Sequence, residues 1–232
     1  MSRVAYTLYR SLYRRLPPGW FRAIGASPIL RSLRDRVLRP EGTPAIATGE
    51  VVFERARFSF SAPYRLLAQA QSRGIEASMC RFILRSMPHG AHAIDIGASY
   101  GFITCVLASN GANVLAIEQS PAIARVLAIN ATRVGARVLA IGVGDGGAGT
   151  TGLDDLRPLA PHVIKIDTDG TEIAILRGAI ELIRVHRPLL IVEANGKQSE
   201  IIELLRPLGY SRFTDVAGGL PYSASNIVAS PA

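Results

Sequence analysis

The sequence of 232 residues is poor in the side chains that most often bind transition metals or form covalent cross-links. It contains two cysteines, Cys80 and Cys105, and four histidines. Because each cysteine stands among apolar neighbours, we expect two buried free thiols and not a disulfide or a redox pair, which fits a reducing cytoplasm. Without a cluster of Cys and His, the sequence gives little support to a zinc site.

Long hydrophobic runs are also missing. No stretch approaches the roughly 18 apolar residues that a membrane-spanning helix needs, and arginines interrupt the N-terminal region before an apolar core of a secretory signal is formed. We therefore expect neither a transmembrane segment nor a secretory signal. Apolar residues still make up 48% of the chain and charged residues 19%. This composition supports a sizeable buried core and excludes global disorder.

Negative charge is almost absent from the first 40 residues, which hold nine arginines and a single acid, Asp35. They account for the whole net charge of +8, because residues 41–232 contain 17 basic and 17 acidic side chains. The sequence thus predicts a neutral body with a basic extension. A nucleic-acid groove spread over the whole surface is disfavoured by this distribution.

The basic extension has the pattern of amphipathic helices. Residues 3–16 place leucines and tyrosines on one broad arc and most arginines on the rest, and a second short helix is predicted from Ser27 to Arg39. One interpretation is an interfacial helix on anionic lipid at the inner face of the membrane. The other is a helix whose apolar face packs on the body or on a second subunit, with its arginines in water. The sequence leaves both open.

Three regions follow one another along the chain. Residues 1–45 form the basic helical extension, residues 46–73 form a lead-in, and residues 74–232 alternate between strand and helix. Residues 41–49 are predicted to be a linker, and residues 51–61 alternate like a strand or hairpin. The alternation of strand and helix predicts a largely parallel, doubly wound α/β sheet with ligands at the carboxyl ends of its strands. The predicted strands are 91–97, 113–118, 136–144, 162–167, 188–194, 210–216 and 226–230, and the predicted helices include 75–87, 121–134, 172–185 and 198–207.

A glycine-bearing loop follows the first of these strands in the run AIDIGASYG, which contains Asp95, Gly97, Ser99 and Gly101. Glycine permits a tight turn and a close approach of a ligand to the backbone. A dinucleotide-binding loop would read G-x-G-x-x-G. Here an acid precedes the first glycine by two residues, which disfavours a pyrophosphate and suits a ligand with an ammonium group beside a carboxylate. S-adenosylmethionine carries that pair of groups.

Two more acids are predicted at strand ends. Glu118 follows Asp95 by 23 residues, close to the offset at which an acid accepts the ribose hydroxyls, and Asp145 follows the third strand, where a side chain meets an adenine amino group. Each alone is as well explained as a solvated loop acid or a turn residue. Three acids at the ends of three successive strands favour S-adenosylmethionine as the cofactor.

Four segments resemble, in order and spacing, the FkbM family of S-adenosylmethionine-dependent methyltransferases: AIDIGASYGFIT, VLAIEQSPA, VIKIDTDGTEIAILRGA and RPLLIVEAN. The resemblance covers about residues 74–232. It implies a class I, Rossmann-like methyltransferase fold with a seven-stranded, mostly parallel sheet whose last strand is antiparallel. It also implies methyl transfer to a hydroxyl, typically of a sugar in a glycan or glycolipid, or of a natural product.

The same resemblance adds residues to the site. Glu76 matches an acid that the family often carries before the first strand, where it also suits a helix N-terminus. Ala98 and Gln119, which belong to the matching motifs, complete the predicted cofactor-binding set. The chain departs from the family pattern at Ser99, where asparagine is usual, and at Asp169, where glutamate is usual. The segment between the GDGGAG loop and LDDL is also short, and this concerns the acceptor site above all.

Methyl transfer to a hydroxyl requires positioning and removal of a proton. Asp167 matches the motif acid and is expected to face the methionine end of the cofactor and the acceptor. Asp169 is the first candidate for the general base, and Glu193 is the second. Glu172 is better explained as an acid at a helix N-terminus. Asp167, Asp169 and Glu193 also offer the oxygen ligands that Mg²⁺ prefers, so a magnesium ion is possible but not expected.

Other functions are less well supported. A base-amine methyltransferase of this fold usually carries [DNS]-P-P-[YFW] at the end of the fourth strand, where this chain reads IDTDG. The shortened middle segment makes a degenerate, non-catalytic member that still binds the cofactor the main alternative. A nicotinamide-dependent dehydrogenase is disfavoured by Asp95. The expected partner is a small-molecule, glycan or glycolipid acceptor, and no nucleic acid is expected.

Overall fold

The computed structural model describes residues 45–147, 149–157 and 160–232. The predicted helices at 3–16 and 27–39 lie outside these residues. The chain divides into two compact units, Met1–Ile75 and Glu76–Ala232. Among the described residues, no helix has both the length and the apolar character that crossing a membrane requires.

The described part of the first unit is an antiparallel hairpin followed by a helix. Strands β1 (Ile46–Phe53) and β2 (Ala56–Pro63) pair along their whole length, and α1 follows directly as Tyr64–Ser72. The predicted hairpin is confirmed, because alternate residues of β2 are buried, as period-two patterning requires. The linker predicted at 41–49 is wrong from Ile46 onward, since β1 already begins there. Helix α1 was not predicted.

The second unit contains a seven-stranded sheet in the order β5-β4-β3-β6-β7-β9-β8. Strand β9 is antiparallel to both of its neighbours, β7 and β8, while β3 to β7 are parallel. The predicted fold class is therefore confirmed. The strands are β3 (His92–Ile96), β4 (Asn113–Ile117), β5 (Arg137–Leu139), β6 (Val163–Ile166), β7 (Leu189–Glu193), β8 (Tyr210–Thr214) and β9 (Asn226–Pro231).

The helices of this unit connect the strands and cover the sheet. Helix α4 begins at Pro121, whose fixed φ suits a first helical position, and ends before Gly135 at φ +75°, so its predicted bounds are confirmed. The helices are α2 (Ala77–Ser86), α3 (Phe102–Ser109), α4 (Pro121–Val134), α5 (Leu153–Leu156), α6 (Glu172–Arg177), α7 (Ile180–His186) and α8 (Gln198–Leu205), with 3-10 turns at Arg206–Leu208 and Pro221–Ser223.

The predicted strand at 136–144 and the predicted helix at 172–185 differ from the structure, and both differences lie near the close contact between Gly144 and Gly178. The strand predicted at 136–144 ends at Leu139, because Gly142 and Gly144 exchange backbone hydrogen bonds with Thr151 instead of continuing the sheet. The helix predicted at 172–185 is split into α6 and α7 at Gly178. A Cβ atom on Gly178 would overlap the carbonyl oxygen of Gly144, so only glycine allows this approach.

The largest core cluster lies between the sheet and the helices that follow β6 and β7. It is built from branched aliphatic side chains of the central strands, as expected for parallel strands covered on both faces. Its fully buried members include Ile164, Leu176, Ile183, Leu190, Val192, Ile201, Leu205 and Ile227. Both cysteines are buried free thiols, as predicted, and burial raises the pKa of Cys105 to about 12.

Candidate functional site

A cavity of about 360 Å³ opens at the carboxyl edge of β3, β4 and β6. Its size lies in the range of small-molecule sites, and its position is the one at which doubly wound sheets bind ligands. It combines an apolar wall with polar groups from the loops that follow the three strands. The lining residues are Ile96, Gly97, Ser99, Ile117, Glu118, Gln119, Ser120, Ile123, Ile141, Val143, Asp167, Thr168, Asp169 and Thr171.

The loop after β3 is held against the end of β6. Gly97 adopts φ +71°, and a Cβ atom there would overlap the carbonyl oxygen of Asp167. Glycine is therefore required both for the backbone conformation and for the close approach. Ser99 also adopts a positive φ of 52°, a conformation that asparagine tolerates more readily than serine. This explains in physical terms why the family pattern has asparagine at that position.

Glu118 joins the loops after β3 and β4. Its Oε2 accepts a hydrogen bond of 3.0 Å from the backbone N–H of Ser99, and its Oε1 accepts one of 2.8 Å from the N–H of Ser120. A carboxylate has about four acceptor positions, so these bonds orient the group and leave positions for further donors. Glu118 lines the cavity and fits the predicted role of accepting two ribose hydroxyls.

The remaining wall offers a surface for a flat ring. Ile123, Ile141 and Val143 line the cavity beside Glu118. Asp145, the predicted partner of an adenine amino group, does not line it. Because β5 ends at Leu139, Asp145 lies in the following turn, where its Oδ1 accepts a hydrogen bond of 3.1 Å from the N–H of Gly147. The structure thus places Asp145 as a turn residue and not at a strand end.

A buried lysine, missed by the sequence analysis, connects the acids beneath the cavity. Nζ of Lys165 lies 3.1 Å from Oδ2 of Asp167 and 3.6 Å from Oδ1 of Asp95. Burial disfavours the charged lysine, but the carboxylates of Asp95, Asp167 and Glu76 outweigh this effect and raise the pKa of Lys165. The signal in the sequence was a single charged residue within the otherwise apolar strand VIKI.

Asp95 does not line the cavity. Its side chain is 1% exposed, and its Oδ2 accepts a hydrogen bond of 2.7 Å from the hydroxyl of Thr104. Its Oδ1 is buried with no hydrogen-bond partner among the described residues. The structure therefore places Asp95 behind Lys165 and away from the cavity. A contact between Asp95 and the ammonium group of the cofactor stays a prediction.

Asp167 and Glu193 form a carboxyl pair at the ends of β6 and β7. Burial, the nearby charges of Asp167 and Asp169, and a hydrogen bond to Asp167 raise the pKa of Glu193, while the amide of Asn195 opposes the shift. The amide donates a hydrogen bond of 2.8 Å to Oε2 of Glu193. The ammonium of Lys165 pairs with Asp167 on the other side of this carboxyl pair, at 3.1 Å.

Hydrogen bonds to Glu172 and Lys197 hold the loop that carries Asp169. Oε1 of the fully buried Glu172 accepts hydrogen bonds from the N–H and the hydroxyl of Thr168 and from the N–H of Gly170. Lys197 donates a bond of 3.0 Å to the carbonyl oxygen of Gly170. Between these anchors Asp169 adopts φ +56° and points an exposed side chain at the cavity. Glu172 therefore shapes the loop, and Asp169 is the acid presented by it.

The other predicted residues divide into two groups. Gln119 lines the cavity, whereas Ala98 and Gly101 lie in the turn behind it, with Gly101 at φ +83° just before α3. Glu76 stands before α2 at φ +48°. Loss of hydration raises its pKa, the Lys165 ammonium opposes this, and the carboxylates of Asp167, Asp95 and Glu193 add to it. Glu76 thus belongs to the acidic cluster without lining the cavity.

Magnesium ligation was the alternative interpretation of the three clustered acids. Within the part of the chain that the structure describes, no group of three or more His, Cys, Asp or Glu side chains is arranged to hold a metal ion. The ammonium group of Lys165 instead supplies a positive charge 3.1 Å from Asp167. Of the three acids, Asp167 is thus the one paired with Lys165, and Asp169 is exposed at the cavity.

Residues 148–212 match a family model described as the methyltransferase FkbM domain. The fold is similar to methyltransferase FkbM from Methylobacillus flagellatus, with a TM-score of 0.53 and 19% identity over 72% of this chain and 53% of that one. The chain thus spans about half the length of that protein. At the level of sequence, none of the curated proteins compared with this chain matches it.

Two further structures share the fold. A TehB-like S-adenosylmethionine-dependent methyltransferase from Corynebacterium glutamicum has a TM-score of 0.50 and 16% identity over 66% of this chain and 85% of its own. The 16S rRNA N2 G1207 methyltransferase RsmC from T. thermophilus, in complex with AdoMet and guanosine, has a TM-score of 0.53 and 14% identity over 83% of this chain and 52% of its own.

The strand order and the antiparallel last strand define the fold, which is the class I fold of the solved S-adenosylmethionine-dependent methyltransferases described above. Residues 148–212 match the FkbM domain model, and the resemblance predicted from the sequence is confirmed over this segment. The segment includes β6 and β7, and thus Lys165, Asp167, Asp169 and Glu193.

Proposed function

We propose that the chain transfers a methyl group from S-adenosylmethionine to a hydroxyl oxygen, in a sugar of a glycan or glycolipid or in a natural product. The observation that carries this proposal is the cavity at the carboxyl edge, which brings the diol-accepting Glu118 and the acids Asp167 and Asp169 into one space. The family match over residues 148–212 supports methyl transfer as the reaction type.

The residues present fit the cofactor. Glu118 retains acceptor positions for two ribose hydroxyls, and Ile123, Ile141 and Val143 offer an apolar wall to the adenine ring. Gly97 allows the loop after β3 to pack against the end of β6 at the floor of the cavity. When bound, S-adenosylmethionine supplies an electrophilic methyl group. The task of the protein is then to orient the acceptor hydroxyl in line with that methyl group and to take its proton.

Asp169 is proposed as the residue that takes the proton. Of the two candidates for the general base, Asp169 lines the cavity and Glu193 does not. A non-glycine residue held at positive φ by anchors on both sides is typical of a functional position, because the strain persists only where the surroundings impose it. Asp167, held by Lys165, orients the acceptor, and Glu193 lies beside Asp167 at the end of the neighbouring strand β7.

The alternative is a member of the fold that binds the cofactor without catalysing transfer. It is favoured by the short connection between β5 and β6, in which α5 is a single helical turn of four residues. A wider acceptor platform would need more chain at this point. The two functions make the same prediction for cofactor binding and opposite predictions for turnover.

Calorimetry with S-adenosylmethionine and with its demethylated product tests the cofactor site. We expect dissociation constants on the order of micromolar. Glu118→Gln should weaken binding by roughly 10-fold or more, because hydrogen bonds to a charged acceptor are worth about 1.5–3 kcal/mol. Glu203→Gln, at an exposed position of α8, is the matched control and should leave binding unchanged. Absence of heat with both ligands in a folded sample would refute the proposal.

A screen for transfer of labelled methyl groups to glycan, glycolipid and small hydroxyl acceptors tests the reaction. Transfer that is lost in Asp167→Asn, with cofactor binding retained, is the expected outcome. Cofactor binding without transfer to any of these acceptors would instead support the non-catalytic alternative.

A further inference from the structure

A second cavity lies beside the acidic site, between α2 and the segment that connects β8 and β9. It has a volume of about 570 Å³ and none of its residues lines the first cavity. One wall is a stripe of α2 and the other is the connecting segment with the start of β9. The lining residues are Ser78, Arg81, Arg85, Asp215, Val216, Ala217, Ala224, Ser225 and Asn226.

The groove is defined by those residues. It adjoins the acids because β9, which contributes Asn226, pairs with β7, which ends at Glu193. Asn226 is the antiparallel partner of Glu193, and the N–H of Ala194 donates a hydrogen bond of 2.8 Å to the carbonyl oxygen of Ser225. Paired antiparallel residues have Cα atoms about 5 Å apart. Asn226, at one end of the groove, therefore lies next to Glu193 in the sheet.

The charge of the groove is opposite to that of the acidic site. Arg81 and Arg85 are four residues apart on α2, and Ser78 precedes Arg81 by three, so the three side chains lie on one face of the helix. The carboxylate of Asp215 is engaged by the N–H groups of Ala217 and Gly219, both at 2.7 Å. Two guanidinium groups thus line the groove with a single carboxylate, that of Asp215, whose Oδ1 accepts both backbone bonds.

We propose that this groove binds an anionic group, a phosphate ester or a carboxylate, of the methyl acceptor. Guanidinium groups bind both groups through paired hydrogen bonds. Ser78 and Arg85 are separated by seven residues, or roughly 10 Å along the helix axis. The proposed acceptor carries a hydroxyl for the acids and an anionic group for the arginines, as a phosphorylated sugar or a sugar acid does. The identification of this molecule as the acceptor rests on the proposed function.

Calorimetric titration of the full chain, saturated with S-adenosylhomocysteine, tests the site with three sugars that differ in charge: glucose 6-phosphate, glucuronate and glucose. We expect at least one of the two anionic sugars to bind 10-fold or more tightly than glucose. The pair of anions distinguishes a phosphate ester from a carboxylate as the preferred group.

Two variants alter opposite walls of the groove. Arg85→Glu reverses a charge on α2, and Ala217→Asp adds an acid on the connecting segment, at a residue that is exposed. Each should reduce the preference for the anionic sugar by at least 10-fold. Arg125→Glu is the matched control, because Arg125 is exposed on α4 and does not line the groove. Thermal unfolding establishes that all three variants are folded.

The outcomes separate this inference from the proposed function. If the wild type shows no preference for either anion, or if the preference survives both groove variants or is lost equally in Arg125→Glu, the groove is not an anion site. Binding of S-adenosylhomocysteine is measured in the same samples and should be unaffected by all three variants. A preserved anion preference in a protein that fails to bind S-adenosylhomocysteine would refute the proposed function and leave the anion site standing.

Discussion

The ammonium group of Lys165 lies 3.1 Å from Oδ2 of Asp167, at the point where β6 ends beneath the cavity. Lys165 is 5% exposed, so its charge is largely removed from water and depends on its acidic partners. Asp95, on the neighbouring strand β3, is the other partner. Lys165 therefore connects Asp167, which lines the cavity, with Asp95, which is buried behind it.

Replacement of Lys165 should be costly because it leaves buried acids without their counter-ion. We expect Lys165→Met to lower the free energy of unfolding by about 3–5 kcal/mol and to abolish turnover. Lys165→Met combined with Asp95→Asn should cost less than the sum of the single changes, since the two residues interact. Urea unfolding of the four proteins of this cycle measures the coupling. Additive effects would show that the ion pair does not stabilise the fold.

Gly97 should tolerate no side chain. Gly97→Ala introduces a Cβ atom that overlaps the carbonyl of Asp167 and is strained at positive φ, so we expect a loss of roughly 3 kcal/mol or more. Gly90→Ala is the control, because Gly90 has a similar φ of +77° and no atom within 4 Å of the added Cβ. It should cost only about 1–2 kcal/mol. Equal losses in chemical denaturation would show that the close approach is relaxed in solution.

We expect Asp169 to lower the free energy of unfolding while it supports activity. Asp169→Gly relieves a positive φ and should raise the free energy of unfolding by about 0.5–1 kcal/mol, whereas Asp169→Asn should leave it nearly unchanged, because asparagine tolerates this conformation. Both variants remove the proposed base and should lower kcat by roughly 100-fold or more. Stability is measured by urea unfolding and kcat by transfer of labelled methyl groups. Full activity in Asp169→Asn would exclude Asp169 as the base and favour Glu193.

Glu193 should make stability depend on pH. Its pKa is raised above the ordinary value of 4.5, mainly by burial and also by Asp167. The stabilising contribution of the protonated group is therefore complete below pH 4.5 and is lost as the pH rises through the raised pKa. The difference in unfolding free energy between the wild type and Glu193→Gln should fall as the pH rises from 4.5 through the raised pKa. Glu203→Gln, which replaces an exposed carboxyl of α8, is measured in parallel as the control.

The nine arginines within residues 1–40 should bind anionic membranes if the extension is interfacial. We expect the full chain to sediment with vesicles that contain anionic lipid and to remain in solution with neutral vesicles. Deletion of residues 1–40 should abolish the sedimentation and leave cofactor binding intact. A full chain that stays in solution with both kinds of vesicle would favour the other interpretation, in which the arginines face water.

Sequence by itself determined the alternation of strands and helices, the order of the motifs and the set of acids that approach the carboxyl edge. These features follow from local patterns: an apolar strand VIKI, a glycine turn after Asp95, and a proline at the start of α4. Such patterns repeat at short spacing and are visible without knowledge of the fold. The same patterns predicted a strand up to residue 144, because the glycines in that run do not reveal where pairing stops.

Only the tertiary structure decided which acids face the cavity and which support it. Asp95 and Asp167 both end strands in the sequence, yet Lys165 separates them into a buried layer and a cavity-lining layer. Asp145 does not line the cavity because β5 stops at Leu139, and Asn226 lies beside Glu193 because β9 pairs with β7. These placements depend on pairing between distant segments, which local propensity does not encode.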